Sequence, residues 1–266
     1  MGSLALEPAS RWSYAELARI FNAGYEAYYT PFTLDEAAFR AMSTMWDDDL
    51  DASRIAVVDG EPAGICKLAI RGDEGWIAGV GVGVPYRGSG VGRALMDGVI
   101  AEAKARRLRR IWLEVLVQNE PAIRLYEKLG FEHVRDLEIW TLEKLVSQKH
   151  KARSVPAAQA HTRIRAERTW REPWQRADET VANLEQIESL ESERGAVLFR
   201  RTGERVSLLQ GVAADEAAAR DLLQAFPSEA TSLQWLNGPE GDPFNSAIAS
   251  LGGTLAHRQH EMVLAL

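Results

Sequence analysis

The sequence predicts a mixed α/β protein, with a mostly antiparallel sheet flanked by helices and a second, smaller α/β domain behind it. Three observations carry that expectation. Short apolar runs separated by turn residues, Arg54–Val58, Pro62–Ile70 and Trp76–Val84, read as an antiparallel meander. A glycine-rich loop then opens directly into a long helical stretch, Val91–Arg107. Finally, a unit of short helix, glycine and extended strand occurs twice, once after Pro121 and once after Pro243.

Taken in order, Leu17, Ile20, Phe21 and Tyr25 recur at helical spacing, which predicts a helix over 14–29 with Ser13 as N-cap and Pro31 as its stop. A second helix is expected from Asp35 to Trp46, capped by Thr33. Asp59-Gly60 and the run Gly72 to Gly75 turn the meander. Arg110–Val117 is an apolar strand, Pro121–Leu129 a helix stopped by Gly130, and Phe131–Lys144 an extended segment. Residues 149–160, with Pro156, read as a linker between domains at 1–148 and 161–266. Beyond it the expectation is a helix ending near Ser192, strands Ala196–Phe199 and Val206–Gln210 joined at Thr202-Gly203, and a helix over Asp215–Phe226. Strand Ser232–Leu236, helix Pro243–Leu251 and the extended run Thr254–Leu266 complete the second domain, and Gly130 and Gly252 fall at matching places after Pro121 and Pro243.

Totals narrow the function classes. Apolar residues make up 46% and charged residues 26%, an ordinary globular balance, and the net charge of −7 predicts no affinity for nucleic acid or an anionic membrane. An acidic surface suits an amine-bearing substrate. The lone Cys66 precludes an intrachain disulfide or a thiolate metal cluster, and no metal is expected. No uncharged run approaches the ~20 residues of a membrane span, and the first residues lack a signal peptide's basic and apolar segments, so a cytoplasmic setting is expected.

The chemistry concentrates in Val82-Gly83-Val84-Pro85-Tyr86-Arg87-Gly88-Ser89-Gly90-Val91-Gly92-Arg93. Glycines between a strand and a helix let successive backbone N–H groups converge on one point, and the positive end of the helix adds to them. A diphosphate is the guest such a site suits. The dinucleotide fingerprint is not met, because Tyr86 stands at its last position and the preceding strands are antiparallel. No Gly-Lys-Ser/Thr follows, so the Walker pattern is absent too.

Arg87-x-x-Gly90-x-Gly92 resembles the pyrophosphate motif of the GNAT N-acetyltransferase superfamily, and Asn119 to Phe131 is similar to that family's Asn-x-x-Ala-x-x-Leu-Tyr-x-x-x-Gly-Phe segment. The resemblance implies acetyl-CoA as cosubstrate. Backbone groups of Val82, Gly83 and Val84 would receive the pantetheine arm, and the N–H groups of Arg87, Gly88, Ser89, Gly90, Val91 and Gly92 would hold the pyrophosphate, with Arg93 starting the helix. Asn119, Ala122 and Leu125 would line the coenzyme's other side, and Tyr126 would protonate the leaving thiolate. Gly79-Val80-Gly81 carries no carboxylate where many relatives have a glutamate, so Glu114 is the candidate base, with a water chain as the alternative. The first helices usually wall the acceptor pocket, which makes Tyr25, Tyr28, Tyr29 and Phe32 candidate substrate contacts.

The second half has no matching loop. Val212-Ala213-Ala214-Asp215-Glu216 offers carboxylates there, and Ile248 falls at the position of Tyr126, so a degenerate, shortened GNAT-like domain is expected. The expected activity is acetyl transfer to a primary amine of a small molecule by direct attack in a ternary complex. A protein N-terminal acetyltransferase of the ribosomal-protein-alanine type and a non-catalytic acyl-CoA-binding regulatory module are the alternatives. A homodimer is an open arrangement.

Overall fold

A computed structural model describes residues 3–26, 29, 33–148 and 152–266. In chain order the elements are β1 (Leu4–Pro8), α1 (Tyr14–Gly24), α2 (Glu36–Trp46), β2 (Arg54–Val58), β3 (Glu61–Arg71) and β4 (Glu74–Val82). They continue with α3 (Val91–Ala105), β5 (Arg110–Leu116), α4 (Glu120–Lys128), β6 (Glu132–Leu142), β7 (Arg153–Ser154) and α5 (Ala157–Glu167). The remainder is α6 (Asp178–Ala182), β8 (Ile187–Ser192), β9 (Gly195–Thr202), β10 (Arg205–Ala213), α7 (Glu216–Gln224), β11 (Ser232–Pro239), α8 (Pro243–Ser250) and β12 (Thr254–Ala265).

Contacts divide the chain into two units, one of residues 1–115, 119–134 and 261–266, the other of 116–118 and 135–260. In the first, strands run in the order β1-β2-β3-β4-β5, followed by the end of β12 and the start of β6. Neighbours from β1 to β4 are antiparallel, and β4 and β5 are parallel. Alternate residues of β2 go to different clusters, as a strand's period of two requires. Ile55 and Val57 join Leu17, Ile20, Phe21 and Phe39 of α1 and α2, whereas Ala56 joins Leu95, Met96 and Val99 of α3. Lys67 and Asp48 form a fully buried ion pair at 2.6 Å, with the ammonium 5.1 Å from the Phe39 ring centre. The C-terminal residues Met262 and Leu264 pack into the same cluster as Tyr126, so this unit's core draws on both ends of the sequence.

The second unit has the strand order β12-β6-β11-β10-β9-β8-β7, with β10 and β11 parallel. Its core holds Phe199, Leu222, Trp235, Phe244 and Ile248. The repeated motif has a structural counterpart. Each short helix, α4 and α8, is followed by a left-handed glycine, Gly130 at φ 90° and Gly252 at φ 88°.

Several local expectations are corrected. Helix α1 ends at Gly24, where the Tyr25 amide bonds back to Phe21 and Asn22, rather than at Tyr29. Ser13 caps it as expected, in a capping box completed by Glu16, but α2 is capped by Asp35 rather than Thr33. Strand β1 was not anticipated; its half-exposed Leu4 and Leu6 lie on an edge paired only through β2. The stretch expected to be a helix ending near Ser192 is strand β8, because Ile187–Ser192 pairs along its length with β9. Helix α5 begins inside the expected linker. Among the described residues, no helix is long and apolar enough to cross a membrane.

Candidate active site

Strands β4 and β5 pair only over Glu74–Trp76 and Arg110–Trp112. Beyond that they carry no shared ladder, and a cleft of about 450 Å³ opens between them. Every residue lining it belongs to the first unit. From β4 come Ile77, Gly79, Val80 and Val82, and from β5 come Leu113, Glu114 and Val115.

The glycine loop stands at one side of this cleft. Gly88 and Gly90 adopt φ of 77° and 92°, the left-handed region that disfavours a side chain. Helix α3 starts at Val91 with no side-chain cap, and its first backbone bond is Ala94 N–H to the Gly90 carbonyl at 3.0 Å. A helix start left this way is a favourable place for an anion. Ser89 braces the loop by donating from Oγ to the Tyr86 carbonyl at 2.6 Å. Arg93 turns along the helix to Asp97 at 2.7 Å.

Helix α4 supplies the opposite wall through Pro121, Ala122, Leu125 and Tyr126. Asn119 also lines the cleft, and its Oδ1 caps the helix by accepting from Ala122 N–H at 3.4 Å. That leaves Nδ2 as the donor it can offer a ligand. Tyr126 is buried apart from 8% of its surface, with its ring 5.9 Å from that of Phe131. Glu114 is held from behind, because Trp76 Nε1 donates to its Oε2 at 2.7 Å and Trp46 packs edge-on against Trp76.

The structure thus brings Val82, Arg87, Gly88, Gly92, Glu114, Asn119, Ala122, Leu125 and Tyr126 to one cleft, together with Tyr25 and Tyr29. Gly83, Val84, Ser89, Gly90, Val91 and Arg93 form the flanking turn and helix start without lining it, and Val91 is a core residue. Tyr28 and Phe32 lie outside the described residues. Cys66 is fully buried, and burial pushes its thiol well above the usual range, so it is no nucleophile.

The glycines of β4 have a role that the sequence did not disclose. A Cβ on Gly24 would meet the Gly81 Cα at 2.6 Å, so α1 ends in direct backbone contact with β4. A Cβ on Gly79 would lie 2.8 Å from the Tyr25 hydroxyl. Tyr25 therefore fills the space that a side chain at position 79 would enter.

In the second unit the corresponding parallel pair, β10 with β11, also pairs only at its start, Arg205–Leu208 with Ser232–Trp235. Here Arg176 bridges the strands beyond the paired region. Its Nε donates to the Leu209 carbonyl and its Nη1 to the Asn237 carbonyl, both at 3.0 Å. The guanidinium stacks 3.5 Å from the Trp235 ring centre and pairs with buried Glu172 at 3.0 Å. Helix α7 is capped by its own carboxylate, with Asp215 Oδ1 accepting from Ala218 N–H at 2.9 Å. The anion-binding end that α3 leaves open is satisfied internally in α7, and Ile248, at the place of Tyr126, is fully buried.

Residues 14–131 match the model of the acetyltransferase (GNAT) family. The chain is 37% identical over 73 residues to the [ribosomal protein bS18]-alanine N-acetyltransferase of Escherichia coli strain K12, covering 27% of this chain and 49% of that protein. It is 37% identical over 91 residues to the mycothiol acetyltransferase of Acidothermus cellulolyticus, covering 33% and 28%. The chain thus spans about half the length, or less, of these curated relatives. A tandem GNAT protein from the clavulanic acid biosynthesis pathway superposes with a TM-score of 0.69 at 12% identity, covering 99% of this chain and 98% of that one, which speaks to the fold alone. The family match spans the glycine loop and the Asn119–Phe131 segment, which meet on one cleft: residues 14–131 of the chain form a domain of the acetyltransferase (GNAT) family.

Proposed function

We propose that the chain is an acetyl-CoA-dependent N-acetyltransferase whose first unit moves the acetyl group to a primary amine. The observation that carries this is the single cleft on which the uncapped glycine start of α3, Tyr126 and Glu114 converge. The N–H groups of Gly88 and of Gly90 to Arg93 receive the pyrophosphate, and the open edge of β4 near Val82 receives the pantetheine arm. The amine nitrogen attacks the thioester carbonyl carbon, the C–N bond forms and the C–S bond breaks. Tyr126, through its phenol O–H, gives a proton to the departing sulfur. The proton lost by the nitrogen goes to the Glu114 carboxylate, directly or through a water. The second unit, with Arg176 across its diverging strands and Asp215 on its helix start, contributes no second acyl-CoA site.

The acceptor is a small amine in this reading, with Tyr25 and Tyr29 on the cleft as its candidate contacts. The stretch resembling the bS18-alanine enzyme favours a second acceptor class, a protein's N-terminal amine. Both are tested by following thiol release from acetyl-CoA with small primary amines and with peptides beginning in alanine. Turnover that falls at least ~100-fold in Tyr126→Phe supports the reading. Acetyl-CoA binding without turnover on either acceptor class would leave an acyl-CoA-binding regulatory module in its place.

A further inference from the structure

The side chain of Arg87 does something other than what its place in the loop suggests. Its Nε donates to the Val82 carbonyl at 3.0 Å, and its Nη2 donates to the Gly24 carbonyl at 3.2 Å and the Glu26 carbonyl at 2.6 Å. Gly24 and Glu26 flank Tyr25. The carbonyls at the end of a helix carry partial negative charge, so a cation is favoured there. A guanidinium is suited to hold several acceptors at once, because its donors lie in a rigid planar fork.

Tyr25 is the residue so bracketed. It stacks on Phe21 with ring centres 4.4 Å apart, lines the cleft, and places its hydroxyl over Gly79 at the opening of the strands. The arginine that begins the glycine loop is thus bonded on both sides of an aromatic residue that lines the cleft. Its own backbone N–H is committed to the Val84 carbonyl at 3.3 Å.

We propose that Arg87 is a positioning residue for the acceptor wall: it straps the end of α1, and with it Tyr25, to the coenzyme loop, and its side chain is not a phosphate ligand. The proposal rests on the acetyl-CoA reading for its kinetic consequence, but the strap is measurable without it. Arg87 is exposed, so its replacement leaves the core intact.

The test uses the full chain with Arg87→Ala and Arg87→Lys. Lysine keeps a charge for a phosphate but lacks the planar fork. In both variants, exchange of the Tyr25 amide with deuterated water is expected to quicken at least fivefold, and acetyl-CoA affinity by calorimetry to stay within threefold of the parent. For an amine that the parent turns over, the acceptor KM rises at least fivefold in both variants while the KM for acetyl-CoA stays within threefold. Unchanged Tyr25 exchange overturns the proposal. So does a loss of acetyl-CoA affinity beyond tenfold in Arg87→Ala that Arg87→Lys restores, the signature of a phosphate ligand. A parent protein that binds no acetyl-CoA would overturn the functional reading, whereas the exchange comparison would still decide the strap.

Discussion

Replacing Arg176 with methionine removes a guanidinium that is 2% exposed and keeps most of its apolar length. Four interactions go with it: the bonds to the Leu209 and Asn237 carbonyls, the pairing with Glu172, and the stack on Trp235. Removing one member of a buried pair costs about 3–5 kcal/mol, because the partner charge is left behind in a dry site. That is a large part of a domain's stability of about 5–15 kcal/mol. The cost depends on pH with a definite sign. Burial already raises the Glu172 carboxyl above its ordinary range, and the Arg176 charge opposes that rise. Without Arg176 the carboxyl rises further and protonates at higher pH, so the deficit is larger at pH 8 than at pH 5.5. Urea denaturation followed by tryptophan fluorescence at both pH values reads this directly, and Arg176→Met combined with Glu172→Leu is expected to recover most of the loss. A deficit below about 1 kcal/mol, or one equal at the two pH values, would refute the view that this guanidinium holds the second pair of strands.

Three further outcomes follow from the same geometry. Burial pushes the Asp242 carboxyl up to about 6 against the opposing Arg176 charge and the Phe244 N–H, so its ionised form destabilises the fold above that pH. Asp242→Asn keeps the helix cap and is expected to gain up to about 3 kcal/mol at pH 7.5, a gain that fades as the pH falls from 6 towards 4; equal effects across that range in urea titrations would contradict it. Trp76→Phe takes the donor from Glu114 and is expected to lower kcat about tenfold with the KM for acetyl-CoA unchanged, whereas an unaltered kcat would detach Glu114 from the chemistry. Gly24→Ala drives a Cβ to 2.6 Å from the Gly81 backbone, where neither partner is a flexible side chain, and a cost of about 1–3 kcal/mol should appear in thermal denaturation.

What the sequence disclosed and what it hid divide along the range of the interactions. Gly88, Gly90 and Gly92, and the run from Asn119 to Tyr126, are local patterns whose geometry follows from neighbours in the chain, and the structure seats both on one cleft. The left-handed stops at Gly130 and Gly252 are local in the same way. Strand β8 runs where a helix ending near Ser192 is expected, and only the long-range pairing of Leu190 with Val197 and its neighbours decides the matter. Arg176 gave no signal, since its partners at Leu209 and Asn237 lie far along the chain and meet it only after the sheet has formed. The Gly24–Gly81 contact was hidden for the same reason, and it accounts for glycine at both of those positions.

The measurement that bears most directly on the central claim is a calorimetric titration of the whole protein with acetyl-CoA, repeated on Gly90→Val and Gly92→Val. Valine resists the φ of 92° that Gly90 adopts, and a Cβ at Gly92 already stands 3.5 Å from the Val82 side chain at the cleft wall. The account predicts saturable binding to the parent that weakens at least tenfold in each variant, with both variants still folded at the titration temperature by circular dichroism. Binding unaffected by either substitution would place the coenzyme elsewhere, and a parent that shows no binding would contradict an acetyl-CoA site in the first unit.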